Sequence, residues 1–245
     1  STSKSTLMRY EKLFDVHWLK SKILIWQSDL SKAQIAESFG LSGPVDFKAA
    51  WTDSTCVKAN IHFPVDWVLL RDASRSLLSA IKTIRAHGLK HRMPAPSDFQ
   101  KAMNQLCIQM THTRRKAGSK KQRKLILRRM KKLTRVIEKH ARQYREMLHT
   151  NQDKTGWSAA QVQGVLDRID NVLTQLPAAI HQAHERLIGE RQLASRDKVI
   201  SMFDHTAQII VRGKAGSDVE FGQRLLLTEQ RNGLIMDWEL QGKQS

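Results

Sequence analysis

The stretch WTDSTCVKANIHFPVDW (51–67) decides how the rest of the chain is read. Residues 51 to 61 alternate as a strand does, with Asp53, Thr55 and Val57 on one face and Thr52, Ser54 and Cys56 on the other. Pro64 then ends any ladder, because it has no N–H to donate. The segment reads as a core strand, yet it carries a carboxylate, Asp53, in its middle. A surface strand carries an Asp at no cost. A core strand needs a partner for it, and a metal ion is one such partner.

Upstream, residues 7 to 50 read as helical. Ser31-Lys-Ala-Gln34 has capping-box form and opens a short helix that Gly40 closes. The run QIAESFGLS (34–42) also fits a helix-turn-helix pattern, but Gly43-Pro44 leaves little room for a recognition helix before Trp51. A helix and loop packed on the core is the simpler reading. Downstream, Asp66 is placed to cap a helix with Leu70, Ala73, Leu77, Ile81 and Ile84 on one face, stopped at Gly88. Asp66 and Asp72 therefore read as cap and surface residues. Pro94-Ala-Pro96 marks a turn, and Ser97-Asp-Phe-Gln100 is a second capping box opening a helix with Met103, Leu106, Cys107 and Met110.

Charge is the most informative part of the composition. The formal net charge is +18, which points to a polyanionic partner, either nucleic acid or an anionic membrane. Between Arg114 and Glu146, fifteen Lys or Arg stand against two Glu, so this segment alone carries +13 and the rest of the chain +5. Lys116 to Ser119 is a loop. Beyond it Ile126, Met130, Leu133, Ile137, Ala141, Tyr144 and Leu148 follow in steps of three and four, a coiled-coil-like stripe on a helix about 42 Å long. Arg114, Arg115, Lys116, Lys120, Lys121, Arg123, Lys124, Arg128, Arg129, Lys131, Lys132, Arg135 and Lys139 occupy the loop and the remaining faces. A charge run is usually a solvated face. Here mutual repulsion costs stability unless an anion is bound, so these side chains are the expected contacts to double-stranded DNA. No aromatic interleaving accompanies them, which predicts backbone contacts and not base readout. The apolar stripe also offers a surface for a homodimer.

The polar break NQDKTGW (151–157) leads to another helix, with Val162, Val165, Ile169, Val172, Leu173, Leu176, Ile180 and Leu187 in its stripe. Pro177 is expected to kink or split it. The two stripes suit an antiparallel helical hairpin. After Arg196 the period changes to that of strands: Ala207 to Val211, Val219 to Leu227 and Leu234 to Leu240, with turns at Gly213 to Gly216 and Gln230 to Gly233. One strand thus lies about 130 residues before its sheet, which predicts a helical domain inserted into an α/β core. The expected fold class is α/β, mostly helical by residue count. Its parts are an N-terminal helical segment (1–50), the first strand and turn (51–65), a basic helical insertion (66–195) and antiparallel strands (196–245).

Other classes find little support. No run of about 18 apolar residues exists, so no membrane-spanning helix is expected. The N-terminus has no apolar signal core, and the missing initial Met fits a fragment of a longer protein. Two cysteines, Cys56 and Cys107, suit a reducing cytosolic setting. The pairs His87/His91 and His181/His184 lack the spacing of a zinc site and read as core or surface histidines.

The blocks DSTCVKANIHFPVDWVLLRDASR (53–75), GLKHRM (88–93), MKKLTR (130–135), IIVRGKAGSDVEFG (209–222) and GLIMDWEL (233–240) resemble bacterial insertion-sequence transposases of the Asp-Asp-Glu type. The resemblance spans most of residues 50 to 240. It implies an RNase H-like core, incomplete here, with a long helical insertion after the first strand. It also implies two-metal cleavage and transfer of DNA phosphodiesters at transposon ends, using Mg²⁺ or Mn²⁺ held by carboxylates. On this resemblance Asp53 is the first catalytic, metal-binding Asp. The family's second Asp, in an Asp-Arg-Gly-Phe motif, and its later Glu have no counterpart here. Asp237 and Glu220 match strand positions and are not assigned. The resemblance therefore implies the N-terminal part of a bacterial, nucleoid-associated cytoplasmic enzyme, inactive by itself. Two other readings stand beside it: a non-catalytic basic nucleic-acid-binding protein or transposon remnant, and, more weakly, a protein lying on a membrane surface.

Overall fold

A computed structural model describes residues 21, 30–38, 40, 49–59, 61, 63–214, 217–230 and 235–241, with the backbone alone at 212–214 and 217. The helices are α1 (Lys32–Ser38), α2 (Asp66–Ala86), α3 (Pro96–Arg114), α4 (Lys120–Thr150) and α5 (Ala159–Leu187). The strands are β1 (Ala50–Lys58), β2 (Gln208–Lys214), β3 (Ser217–Gln230) and β4 (Ile235–Gln241). The fold is α/β, mostly helical, with a small sheet in which β3 pairs with each of the other three strands. Residues 41–48, where a recognition helix would follow the pattern at 34–42, and residues 231–233 of the hairpin turn lie outside the described residues.

The chain divides into two compact units. The larger, residues 56–224 with Gln241, is built on four long helices. α2 and α4 pack against each other, and both pack against α3 and α5, which lie on either side of that pair. The expected stripes are the reason. Leu70, Ala73, Leu77, Ile81 and Ile84 of α2 and Ile126, Met130, Ile137, Ala141, Tyr144 and Leu148 of α4 are all buried. Because α4's stripe is used up inside the chain, it presents no surface for a homodimer or a bilayer. The Tyr144 hydroxyl accepts from the His91 N–H and donates to the His91 carbonyl, both at 3.1 Å, which ties the segment after α2 to the middle of the bundle. Arg145 grips Asp170 with two bonds of 2.6 and 2.8 Å and joins α4 to α5.

Several local expectations need correction. Asp66 does not cap α2: Val65 is the N-cap, and Asp66 is a buried first-turn residue. Its Oδ1 accepts from Gln182 Nε2 at 2.9 Å and from Arg186 Nη1 at 2.7 Å, so its carboxylate joins α2 to α5. Asp72 is not on the surface either; it is buried, with the Arg71 guanidinium on its Oδ1. No capping box forms at Ser97. Ala95 is the N-cap and Pro96 opens α3, where its missing N–H costs nothing. A capping box that the sequence reading passed over starts α5, where Ser158 Oγ and Gln161 exchange bonds. Pro177 does not divide α5, which runs through it as one helix. Pro177 itself is exposed while Leu176 and Ala179 are buried, so packing on both sides holds the helix across the missing bond.

In the same unit β2 and β3 run antiparallel, with Gln208 opposite Gly222 and Val211 opposite Val219. Ala59 N–H donates to Phe221 O at 2.9 Å. Gly222 allows the close approach of β1: a Cβ there would lie 2.1 Å from the Val57 carbonyl oxygen. An isolated glycine within a strand is the sequence signal for such a contact. The smaller unit contains the described residues up to Thr55 and 225–240. Its buried centre is Ile35 and Ala36 of α1, with Leu30 and Met236 against them. The capping box at Ser31 forms as expected, and Gly40 adopts a left-handed φ of 62°.

β1 is not a core strand. Trp51 and Val57 are about half exposed, Asp53 is exposed, and only Thr55 and Cys56 are partly covered. It ends the strand order β1-β3-β2.

Gln182 provides a test of the bundle. It is buried, donates to both Asp66 and the Val199 carbonyl, and accepts from the Val199 N–H at 2.8 Å. Gln182→Ala leaves three buried polar groups short of a partner and is expected to cost ~2–4 kcal/mol. Differential scanning calorimetry should show a Tm lower by roughly 4–16 °C.

Candidate nucleic-acid interface

The expected contact residues fall on three parts of the larger unit. Arg114 ends α3, where its guanidinium lies 5.5 Å from the centre of the Trp67 ring. Arg115 and Lys116 are in the loop to α4, which turns at Gly118 with φ 68°. The other ten lie on α4 itself. The helix forms because Leu, Met, Lys, Arg and Gln, all good helix formers, fill it, and its buried stripe fixes its rotation.

That rotation sorts the cations. Lys121, Lys124, Arg128, Lys132, Arg135 and Lys139 recur every three or four residues on the side of α4 away from the buried stripe. Lys116, Lys121, Lys124 and Arg128 line a recess of about 730 Å³ that includes Gly118. Arg128 also begins a second recess of about 440 Å³ with Lys131, Lys132, Arg135 and Lys139, closed on the other side by His184 of α5 and Ile188 just after it. Arg128 is common to both, so the basic surface continues along the helix. Arg129 lines neither recess, and Arg123 is only half exposed.

Ion pairing separates these cations from their neighbours. Among the described residues, α4 forms ion pairs through Lys120 with Glu190 at 2.7 Å, Arg142 with Glu138 at 2.8 Å and Arg145 with Asp170 at 2.6 Å. Asp170 holds the Arg145 guanidinium above the usual arginine value, and Lys120 holds the Glu190 carboxyl below the usual carboxylate value. None of these partners reaches Arg128, Lys131, Lys132, Arg135 or Lys139. Burial, and then the nearby Arg135 charge, push the Lys131 ammonium below its ordinary value. The fold therefore disfavours the charged form of Lys131, and that unfavourable contribution is relieved only as pH rises toward the ordinary lysine range. Lys120, by contrast, has a carboxylate partner, which reduces its capacity for phosphate relative to the five.

His184 and Ile188 escaped the sequence reading, which considered His184 only as half of a metal pair. The antiparallel pairing of the two helices was the available signal, since it sets the end of α5 beside the first half of α4. His87 lies against Trp157, ring centres 4.3 Å apart and tilted by 45°, and the His91 N–H donates to the Tyr144 hydroxyl. Burial raises the Cys107 thiol above its ordinary value, which leaves it a poor nucleophile.

Asp53 is exposed on β1, where its Oδ1 accepts from the Ser54 N–H at 2.7 Å. Among the described residues no group of three His, Cys, Asp or Glu is placed to hold a metal ion. A lone carboxylate does not make a Mg²⁺ or Mn²⁺ site, so these residues do not fit the two-metal centre that the resemblance implies. No helix among them is long and apolar enough to cross a membrane. Comparison of the chain with protein-family models, curated proteins and solved structures finds no match.

The crowding on α4 is directly measurable. Lys131 and Arg135 are four residues apart on one helix, an arrangement that costs roughly 0.2–0.5 kcal/mol for like charges. Lys131→Gln is expected to raise stability by about that amount in urea titrations at low salt, with the gain fading as salt screens the pair.

Proposed function

We propose that the chain is the DNA-binding portion of a transposase of the Asp-Asp-Glu type, with α4 lying along the phosphate backbone of double-stranded DNA. The observation that carries the DNA-binding part is the group Arg128, Lys131, Lys132, Arg135 and Lys139. They line one recess with no acidic partner within ion-pair distance among the described residues. A phosphate backbone supplies the missing negative charge at regular spacing. The transposase part rests on the resembling blocks around Asp53, Glu220 and Asp237. Those blocks lie on β1, β3 and β4, and β3 pairs with both of the others, which supports an RNase H-like reading of the sheet. On this reading Asp53 is the first metal-binding carboxylate of a centre whose other ligands are not among the described residues. The contact is to the backbone and independent of sequence, because α4 offers cations and no base-reading pattern.

Two measurements test this. Fluorescence anisotropy with a short duplex is expected to show affinity falling about 10³–10⁵-fold between 50 and 200 mM salt, as for 6–10 neutralised phosphates. Replacing Arg128, Lys132, Arg135 and Lys139 together by Gln should lower the slope of log K against log salt by about 3–4. A flat salt response in the unaltered chain contradicts the proposal. In a Mg²⁺-dependent cleavage assay on a transposon end, the chain alone is expected to give no turnover. Robust turnover abolished by Asp53→Ala would show that its catalytic centre is complete after all.

A further inference from the structure

A second cationic groove lies between α2 and α3, with a volume of about 540 Å³. Arg71, Arg75 and Lys82 line it from α2, at spacings of four and seven residues that put them on one face. Ser79 adds a hydroxyl, and Gln100 and Asn104 of α3 add amides from the opposite wall. Gln100 Nε2 donates to Asn104 Oδ1 at 3.0 Å, so the two amides are already oriented with respect to each other. Asp72 accepts from Arg71 through Nε and Nη2, offsetting one charge and holding that guanidinium in place. Arg75 and Lys82 are exposed and have no acidic partner within ion-pair distance among the described residues. The three cations less Asp72 leave the groove at +2.

This arrangement differs from the α4 surface in kind. A straight row of ammonium and guanidinium groups suits any polyanion. A recess with a held guanidinium, a free one, and neutral donors from a second helix suits a single tetrahedral oxyanion with several oxygens to satisfy. Its place in the bundle also matters. The α2–α3 groove and the α4–α5 recess are lined by different pairs of helices and share no residue.

We propose that the α2–α3 groove is a second phosphate site, which seats a backbone phosphodiester of a nucleic-acid segment other than the one on α4. It rests on the reading of α4 as a DNA-binding surface, and it adds a separate point of attachment with its own residues.

Arg75→Gln with Lys82→Gln changes only exposed positions on α2 and keeps good helix formers there, so the fold is expected to survive, as circular dichroism will show. With a short duplex as probe, the double variant should lower the salt slope by about 2, both in the unaltered chain and in the chain whose α4 cations are Gln. The Arg75 Nε–H signal in NMR spectra should shift on adding duplex, including in the α4-neutralised chain. If duplex binds with steep salt dependence, yet the Arg75 signal stays still and the slope is unchanged, this inference is overturned while the α4 reading stands. If the Arg75 signal moves with inorganic phosphate or pyrophosphate but not with duplex, the groove takes a free phosphate and the nucleic-acid assignment is overturned. If the unaltered chain binds no duplex, both readings fall together.

Discussion

The helical unit depends on the burial of one apolar stripe on α4. Ile126, Leu127, Met130, Ile137, Tyr144 and Leu148 are each almost completely removed from solvent by α2, α3 and α5. Burial of a large apolar side chain contributes about 1.5–3 kcal/mol, an upper figure because the unfolded chain already hides some surface. Six such residues outweigh the like-charge pairs along the same helix, which cost a few tenths of a kcal/mol each. The stripe can therefore hold a strongly basic helix in one orientation, and that orientation decides which cations face outward together.

Function on this account is a consequence of what the stripe leaves over. Near the ends of the helix pair, acidic partners are present: Glu190 near Lys120, and Asp170 on Arg145. From Arg128 to Lys139 the carboxylate present, Glu138, pairs with Arg142, and the cations of the span have no acidic partner within ion-pair distance among the described residues. The helix backbone fixes the spacing of these cations before any anion arrives, while their unpartnered side chains still lose rotamer freedom on binding. The buried Asp66 cluster serves a different end. Gln182 and Arg186 converge on one carboxylate and fasten α5 to the start of α2, which fixes the helix that forms the far wall of the α4 recess.

Much of this was legible in the sequence, for identifiable reasons. The stripes on α2 and α4 follow from periodicity alone, and nearly every residue placed on them is buried. The strands after residue 207 are found close to where β-branched and apolar runs put them. Polar residues were harder. Asp66 opens α2 and Asp72 lies in its second turn, where a cap and a surface position are the ordinary outcomes; Asp66 is instead buried against a partner more than a hundred residues away, Arg186. Pro177 was expected to kink or split its helix; the split does not occur, because packing on both sides of Pro177 keeps the helix whole. The same limit applies to 51–67. The composition of that strand suggested a core, but burial depends on what lies against a strand, and β1 is mostly exposed. Asp53 therefore needs no partner for the fold, and its role rests on the resemblance.

The central claim is that the middle of α4 carries charge that the fold leaves uncompensated and that a phosphate backbone compensates. The most direct measurement is the Tm of the chain at low ionic strength, with and without a saturating short duplex. A ligand that binds only the folded state raises Tm, by an amount set by its concentration relative to Kd. The account predicts a clear rise, and a much smaller one when Arg128, Lys132, Arg135 and Lys139 are Gln. A Tm unmoved by duplex, in a chain that melts cooperatively, would contradict it.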